Sequence, residues 1–239
     1  METFAGFPPK AFTFLRGLAK HNRKEWFEAH RDDYEVALRA PMRALIDEVD
    51  VRLAAFIPEV IGSPKRSMFR IHRDVRFSKD KSPYKTNAAC WFYHADAGRG
   101  VGSDAAHGGA GFYLHLEPGA SFCGGGIWMP PRSALAKIRT SLADDPEAFT
   151  AIVRDRGFVR RFGALDTEGM LTRMPRGYAP DHPAGDWLRY TSFTVGCPVA
   201  PEHVQSAKLP DWLARQFQAL TPFVRWLNGA LGMPERTRR

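Results

Sequence analysis

Between Pro58 and Phe69 the apolar residues of this chain change their spacing, and no other feature limits the fold as much. Before that point Ala11, Phe14, Leu15 and Leu18 recur at i, i+3, i+4 and i+7, which lines them along one side of an α-helix. After it Phe69, Ile71, Val75 and Phe77 alternate with Arg70, His72, Asp74 and Arg76, the two-residue rhythm of a strand buried on one face. Arg73 falls on the apolar side and breaks the pattern. Helices followed by clustered strands belong to the α+β class, because a sheet face and a helix stripe must each bury themselves against another element.

The rest of the chain fills in that plan. Pro8 and Pro9 suit a first helical turn. Asn22 is placed to cap a second helix, with Glu25 three residues on as in a capping box. Trp26, Phe27, His30, Tyr34 and Leu38 line one side of that helix as core residues, and Pro41 ends or kinks it. Met42, Leu45, Ile46, Val49 and Leu53 form the stripe of a third helix, closed by Pro58. A turn over Ser78 to Pro83 leads to a returning strand from Tyr84 to Tyr93, then a Gly/Ala/Asp-rich loop over 94–111. Phe112, Leu114 and Leu116 alternate with Tyr113, His115 and Glu117 in a third strand, and Ser121 to Met129 reads as a fourth, interrupted by Gly124, Gly125 and Gly126. Helices follow Pro131 (Leu135, Ile138, Leu142) and Pro146 (Phe149, Ile152, Val153). Residues 162–183 hold no period, Tyr190 to Val199 reads as another strand, and Leu213, Phe217, Leu220, Val224 and Leu227 mark a closing helical region around Pro222. The expected architecture is an antiparallel β-sheet packed with N-terminal and C-terminal helices. It forms one α+β domain over residues 1–239, with a helical section over about 8–57, a sheet section over about 65–130 and a mixed section over about 131–231.

Composition excludes several classes. With 239 residues, 44% hydrophobic and 25% charged, the chain is neither disordered nor a disulfide scaffold, and its size suffices for a core without cross-links. No apolar run approaches the roughly 20 residues of a membrane span, and Glu2 stands where a signal peptide carries positive charge. Cys90, Cys123 and Cys197 are odd in number, far apart and without CxxC spacing, which fits buried inert thiols in a cytoplasmic protein. The net charge of +8 draws anions, although three of the positive charges are Arg236, Arg238 and Arg239 at the C-terminal end.

Candidate chemistry concentrates between Arg70 and Lys85. Alternate strand residues share a face about 6.6 Å apart, so Arg70, His72, Asp74 and Arg76 make a polar row that is expensive to bury without partners. Arg70, Arg73 and Arg76 offer planar forks for phosphate or carboxylate, and Lys79, Lys81 and Lys85 add mobile charge on or beside the following turn. Tyr113, His115 and Glu117 lie on the polar side of the third strand. If that side meets the basic row, His72, Asp74, His115 and Glu117 supply acid and base groups, with Tyr113 among the ligand contacts. Neither His-x-Asp nor His-x-Glu is a specific metal spacing, so no metal is assigned, and no cofactor is read. Gly124-Gly125-Gly126 lacks the spacing of a phosphate or dinucleotide loop and fits a bulge or a close strand approach. There is no Gly-x-Ser-x-Gly elbow.

Four stretches together resemble the bacterial and fungal family known as domain of unknown function 2461: Asn22 to Phe27, Arg70 to Lys85, Tyr113 to Gly119 with Gly126 to Pro130, and Pro175 to Tyr178. The likeness runs from about Phe7 to Val199. The pattern RxHRDxRFSxDKxPYK carries most of its specificity, and the Gly/Ala-rich stretch around Arg99 to Ala110 departs from it. The resemblance implies a compact cytoplasmic protein and brings no catalytic residues. Three readings therefore stand: an enzyme or binding protein for an anionic small molecule, a nucleic-acid-binding module, and a structural or interaction protein whose motif is an ion-pair network. The first is favoured, since no helix-turn-helix, zinc finger or aromatic RNA-binding signature is present. Oligomeric state is not legible.

Overall fold

A computed structural model describes residues 3–76, 79–97 and 109–237. Its centre is an open, five-stranded antiparallel sheet: β1 (Val60–Ile61), β2 (Ala88–His94), β3 (Gly111–Leu116), β4 (Phe122–Ile127) and β5 (Phe193–Pro198), in spatial order β1-β2-β3-β4-β5. Helices lie on both sides of this antiparallel sheet, and the fold is α+β. One face of the sheet presents Phe92, Phe112, Gly125 and Val195 in register across four strands. The C-terminal helix of the fold lies over that face. Phe217 stacks on Phe112 with ring centres 4.6 Å apart and tilts onto Phe92 at 5.7 Å.

That helix spans Leu209–Ala230 without interruption, so the period read around Pro222 is one helix. Pro222 is exposed and breaks only its bond to the carbonyl of Gln218, itself exposed to water. Leu213, Phe217, Leu220, Val224 and Leu227 are all fully buried, each contributing about 2 kcal/mol through the area it removes from water.

The N-terminal section departs from its expected form. α1 (Pro9–Lys20) forms as the apolar spacing predicts. The second helix is broken into α2 (Lys24–Ala29) and α3 (Arg31–Tyr34) at His30, then passes through a π-helical turn (Glu35–Arg39) into α4 (Ala40–Leu53). Pro41 explains the π turn: it has no N–H to donate, and its ring clashes with the carbonyl four residues back unless the preceding turn widens. Asn22 does not cap α2. Arg23 holds the cap position and makes no side-chain cap bond, while Asn22 is used elsewhere.

One expected strand is absent and the next is shortened. Among the described residues, 68–87 form no regular strand, only the isolated bridges Met68↔Cys90 and His72↔Tyr84. The returning strand accordingly starts at Ala88 rather than Tyr84. Phe77, Ser78 and positions 98–108 of the 94–111 loop lie outside the described residues. After a one-turn helix α5 (Pro64–Ser67), the helices α6 (Arg132–Asp144), α7 (Pro146–Val153), α8 (Arg156–Phe162), α9 (Gly185–Leu188) and α10 (Pro201–Val204) precede the long α11 (Leu209–Ala230). Asp145 and Asp155 cap α7 and α8 by accepting from the Ala148 and Phe158 amides. Among the described residues no helix is long and apolar enough to cross a membrane.

Candidate functional site

Residues 68–76 and 79–87 form the two limbs of an irregular arm along the edge of β2. The Phe69 amide donates to the Ala89 carbonyl at 3.0 Å, and within the arm Arg73 N donates to Pro83 O at 2.9 Å and Lys85 N to Ile71 O at 2.8 Å. Asn22 ties the arm to the helical section. Its Nδ2 donates to the Tyr84 carbonyl (2.9 Å) and its Oδ1 accepts from the Tyr84 amide (3.0 Å), so one side chain satisfies both backbone groups of a buried residue. The Tyr84 ring stacks on Phe27 at 4.4 Å.

The alternation read from the sequence survives without a strand: Arg70, His72, Asp74 and Arg76 are exposed and Ile71 is buried. The cations of the row divide by partner. Arg76 grips Asp74 through Nη2 at 2.6 Å and Nε at 3.0 Å, which holds the Asp74 carboxyl well below the usual carboxylate range. Arg73 pairs with Asp80, whose pKa is lowered first by the Ser82 hydroxyl that donates to it at 2.6 Å. Lys81 Nζ donates to the Val75 carbonyl at 2.8 Å, and Lys79 is exposed. Arg70 and Lys85 are different: no carboxylate bonds to either among the described residues. Lys85 is half-buried, with Nζ 5.3 Å from the centre of the Phe69 ring. Burial first, then repulsion from Arg70 and Arg73, pushes its pKa below the ordinary lysine range.

On β3 and the residue just past its end, three side chains spaced by two join in a chain. Tyr113 Oη lies 3.1 Å from His115 Nδ1, and His115 Nε2 lies 3.1 Å from Glu117 Oε2. Glu117 accepts only, so the neutral ring carries its proton on Nε2 and its Nδ1 accepts the Tyr113 hydroxyl. Phe122 stacks on the imidazole at 4.9 Å. The His115 side chain is 14% exposed and Glu117 37%, so the chain runs from the interior to solvent. Burial raises the Tyr113 pKa to about 12, which keeps it a phenol at neutral pH. Phe69 links this chain to the arm, its ring meeting Tyr113 edge-on at 5.8 Å. Directly across from Tyr113 in register stands Trp91, whose buried Nε1 has no acceptor among the described residues.

The structure therefore brings together Tyr113, His115 and Glu117, and beside them Lys85 with Arg70 and Arg73. It does not join His72 and Asp74 to the Tyr113–His115–Glu117 chain, although Asp74 feels the charge of Arg70. His72 packs on Tyr84 (5.2 Å) and Phe27 (6.1 Å), and Asp74 is bound by Arg76. The expected convergence of two histidines and two carboxylates fails because beyond Phe69 the arm pairs with its own return rather than with the sheet. Among the described residues no three His, Cys, Asp or Glu side chains gather closely enough to hold a metal ion. A separate open cleft of about 450 Å³ lies between Thr172 and Arg189. Its residues carry no periodic pattern in the sequence, and its Asp186 is engaged by Arg154 and Arg189.

Residues 10–226 match the family model described as Conserved hypothetical protein (DUF2461). The chain belongs to this family. The match includes the whole arm, β3 and the cleft, so the DUF2461 fold comprises every element of the candidate site. Comparison with curated proteins and with solved structures gave no match.

Proposed function

We propose that this DUF2461 protein binds a small anion carrying phosphate or carboxylate groups at Arg70 and Lys85, beside a proton relay formed by Tyr113, His115 and Glu117. One observation carries the reading. Arg73 and Arg76 each have an acid of their own, whereas Arg70 and Lys85 repel each other with no carboxylate bonded among the described residues. A half-buried ammonium in that position is stabilised by an anion and destabilised without one. Trp91 Nε1, without an acceptor among the described residues, is a further donor across the strand from Tyr113.

The relay gives such a site acid–base capacity. As the Tyr113 oxygen takes a proton from the ligand, its own proton passes to His115 Nδ1, and Glu117 stabilises the imidazolium that results. Arg70 offers two parallel N–H groups to an oxyanion, and Lys85 a point charge.

Thermal unfolding of the full chain in phosphate, pyrophosphate and citrate tests this reading. An anion at tenfold its dissociation constant stabilises by about 1.4 kcal/mol, which raises the Tm by about 3–5 °C for a chain of this size. The Arg70→Gln and Lys85→Gln variants should fold normally and lose that response. Equal responses in the variants contradict the proposal, and stronger retention on single-stranded DNA with a steep salt dependence turns it toward nucleic acid.

A further inference from the structure

Two of the three cysteines, separated by 74 positions in the chain, are neighbours in the sheet. Cys123 on β4 and Cys197 on β5 are directly opposed in the antiparallel ladder, and their sulfurs lie 3.7 Å apart. Directly opposed antiparallel residues have Cα atoms about 4.5–5.5 Å apart, inside the about 4.4–6.8 Å that a disulfide spans. Cys123 is fully buried, while Cys197 is half-buried on the edge strand β5. Cys90 lies in the same row with Leu114 of β3 between it and Cys123. It is therefore two strands away, about 10 Å, beyond disulfide reach.

We infer that Cys123 and Cys197 are a redox-active dithiol that hydrogen peroxide converts to an intrachain disulfide. The more exposed sulfur reacts first. Cys197 is the better nucleophile because the Cys123 S–H donates to it and the Arg161 guanidinium lies nearby, both of which favour its thiolate, while the same contact raises Cys123. The Cys197 thiolate attacks one peroxide oxygen and breaks the O–O bond. Cys197 becomes a sulfenic acid, and the departing oxygen leaves as water after taking a proton. The Cys123 sulfur then attacks the Cys197 sulfur, forming the S–S bond and expelling hydroxide, which leaves as a second water with the Cys123 proton. Two thiols are oxidised and one peroxide is reduced. Burial raises the Cys90 thiol and leaves it a bystander. The inference does not depend on anion binding at the arm.

The test treats the native full chain with increasing hydrogen peroxide, then counts free thiols after denaturation and maps unreduced peptides by mass spectrometry. Two of the three thiols should disappear together, with the Cys123 and Cys197 peptides linked and lighter by two hydrogens, and Cys90 still open to alkylation. Reductant should restore all three thiols. In Cys123→Ser the reaction should stop at a Cys197 sulfenic acid trapped by dimedone, and in Cys197→Ser the Cys123 thiol should persist at doses that close the native pair. Loss of Cys90 at the same rate, over-oxidation of Cys197 with Cys123 still free, or linkage only between chains would overturn the inference. The peptide map of the unsubstituted chain decides the matter even where a variant fails to fold.

Discussion

Lys85 Nζ stands 5.3 Å above the Phe69 ring, and Phe69 in turn meets Tyr113 edge-on at 5.8 Å. One aromatic side chain thus spans the distance between Lys85 and the Tyr113–His115–Glu117 chain. Lys85 Nζ is no farther from the Tyr113 ring centre than those two distances together, which is within the span of a small phosphorylated or carboxylated molecule.

The arm depends on Asn22. Replacing Asn22 with Ala removes both bonds to the Tyr84 backbone and leaves a buried N–H and C=O without partners. A loss of about 2–3 kcal/mol is expected in urea denaturation. Anion response at Lys85 should fall in the same variant even where it is folded, because Lys85 follows Tyr84 directly.

Gly124 and Gly126 of β4 answer to the close approach of β5. A Cβ on Gly126 would sit 1.9 Å from the Phe193 carbonyl oxygen, at a φ of +123° that side chains rarely adopt. Gly126→Ala should therefore prevent accumulation of folded protein or destabilise it by about 3 kcal/mol or more. Gly119, with φ +80° and nothing within 4 Å of a Cβ, provides the contrast. Gly119→Ala should cost only about 1 kcal/mol by denaturant titration.

Tyr113 ties stability to alkaline pH. Its folded pKa is pushed up to about 12 from the ordinary value of 10.0. The folded chain therefore holds the phenolic proton over a range in which the unfolded chain has released it. The stabilisation is complete below pH 10 and is lost as pH rises from 10 to 12. Ultraviolet titration of the folded protein should show a tyrosine ionising near pH 12, and Tyr113→Phe should abolish that step. A full tyrosinate signal by pH 10.5 in the folded protein contradicts the burial.

Much of this fold is legible in the sequence, and the exceptions have physical causes. The stripes of α1, α4 and α11 and the alternation of β3 follow directly from spacing, since each element buries one face. Arg70 to Arg76 alternate as a strand does yet form none, because the period reports which side of an extended chain is buried and not whether a neighbour pairs with it. Asn22 reads as a cap because the same polar side chain serves a helix end or a distant backbone, and only the tertiary fold selects the latter. Tyr113, His115 and Glu117 were visible as one face of a strand, and their bonding follows from that periodicity. Trp91 opposite Tyr113 and Cys197 opposite Cys123 were invisible, since strand register is set by turns and packing and carries no short-range signature.

The titration of Lys85 tests the central claim most directly. Lysine side-chain NMR on the full chain, assigned by Lys85→Gln, follows the ammonium against pH with and without pyrophosphate. The account predicts a pKa below the ordinary lysine range in the free protein, rising when pyrophosphate binds, with the rise lost in Arg70→Gln. An ordinary lysine titration that pyrophosphate leaves unchanged would contradict it.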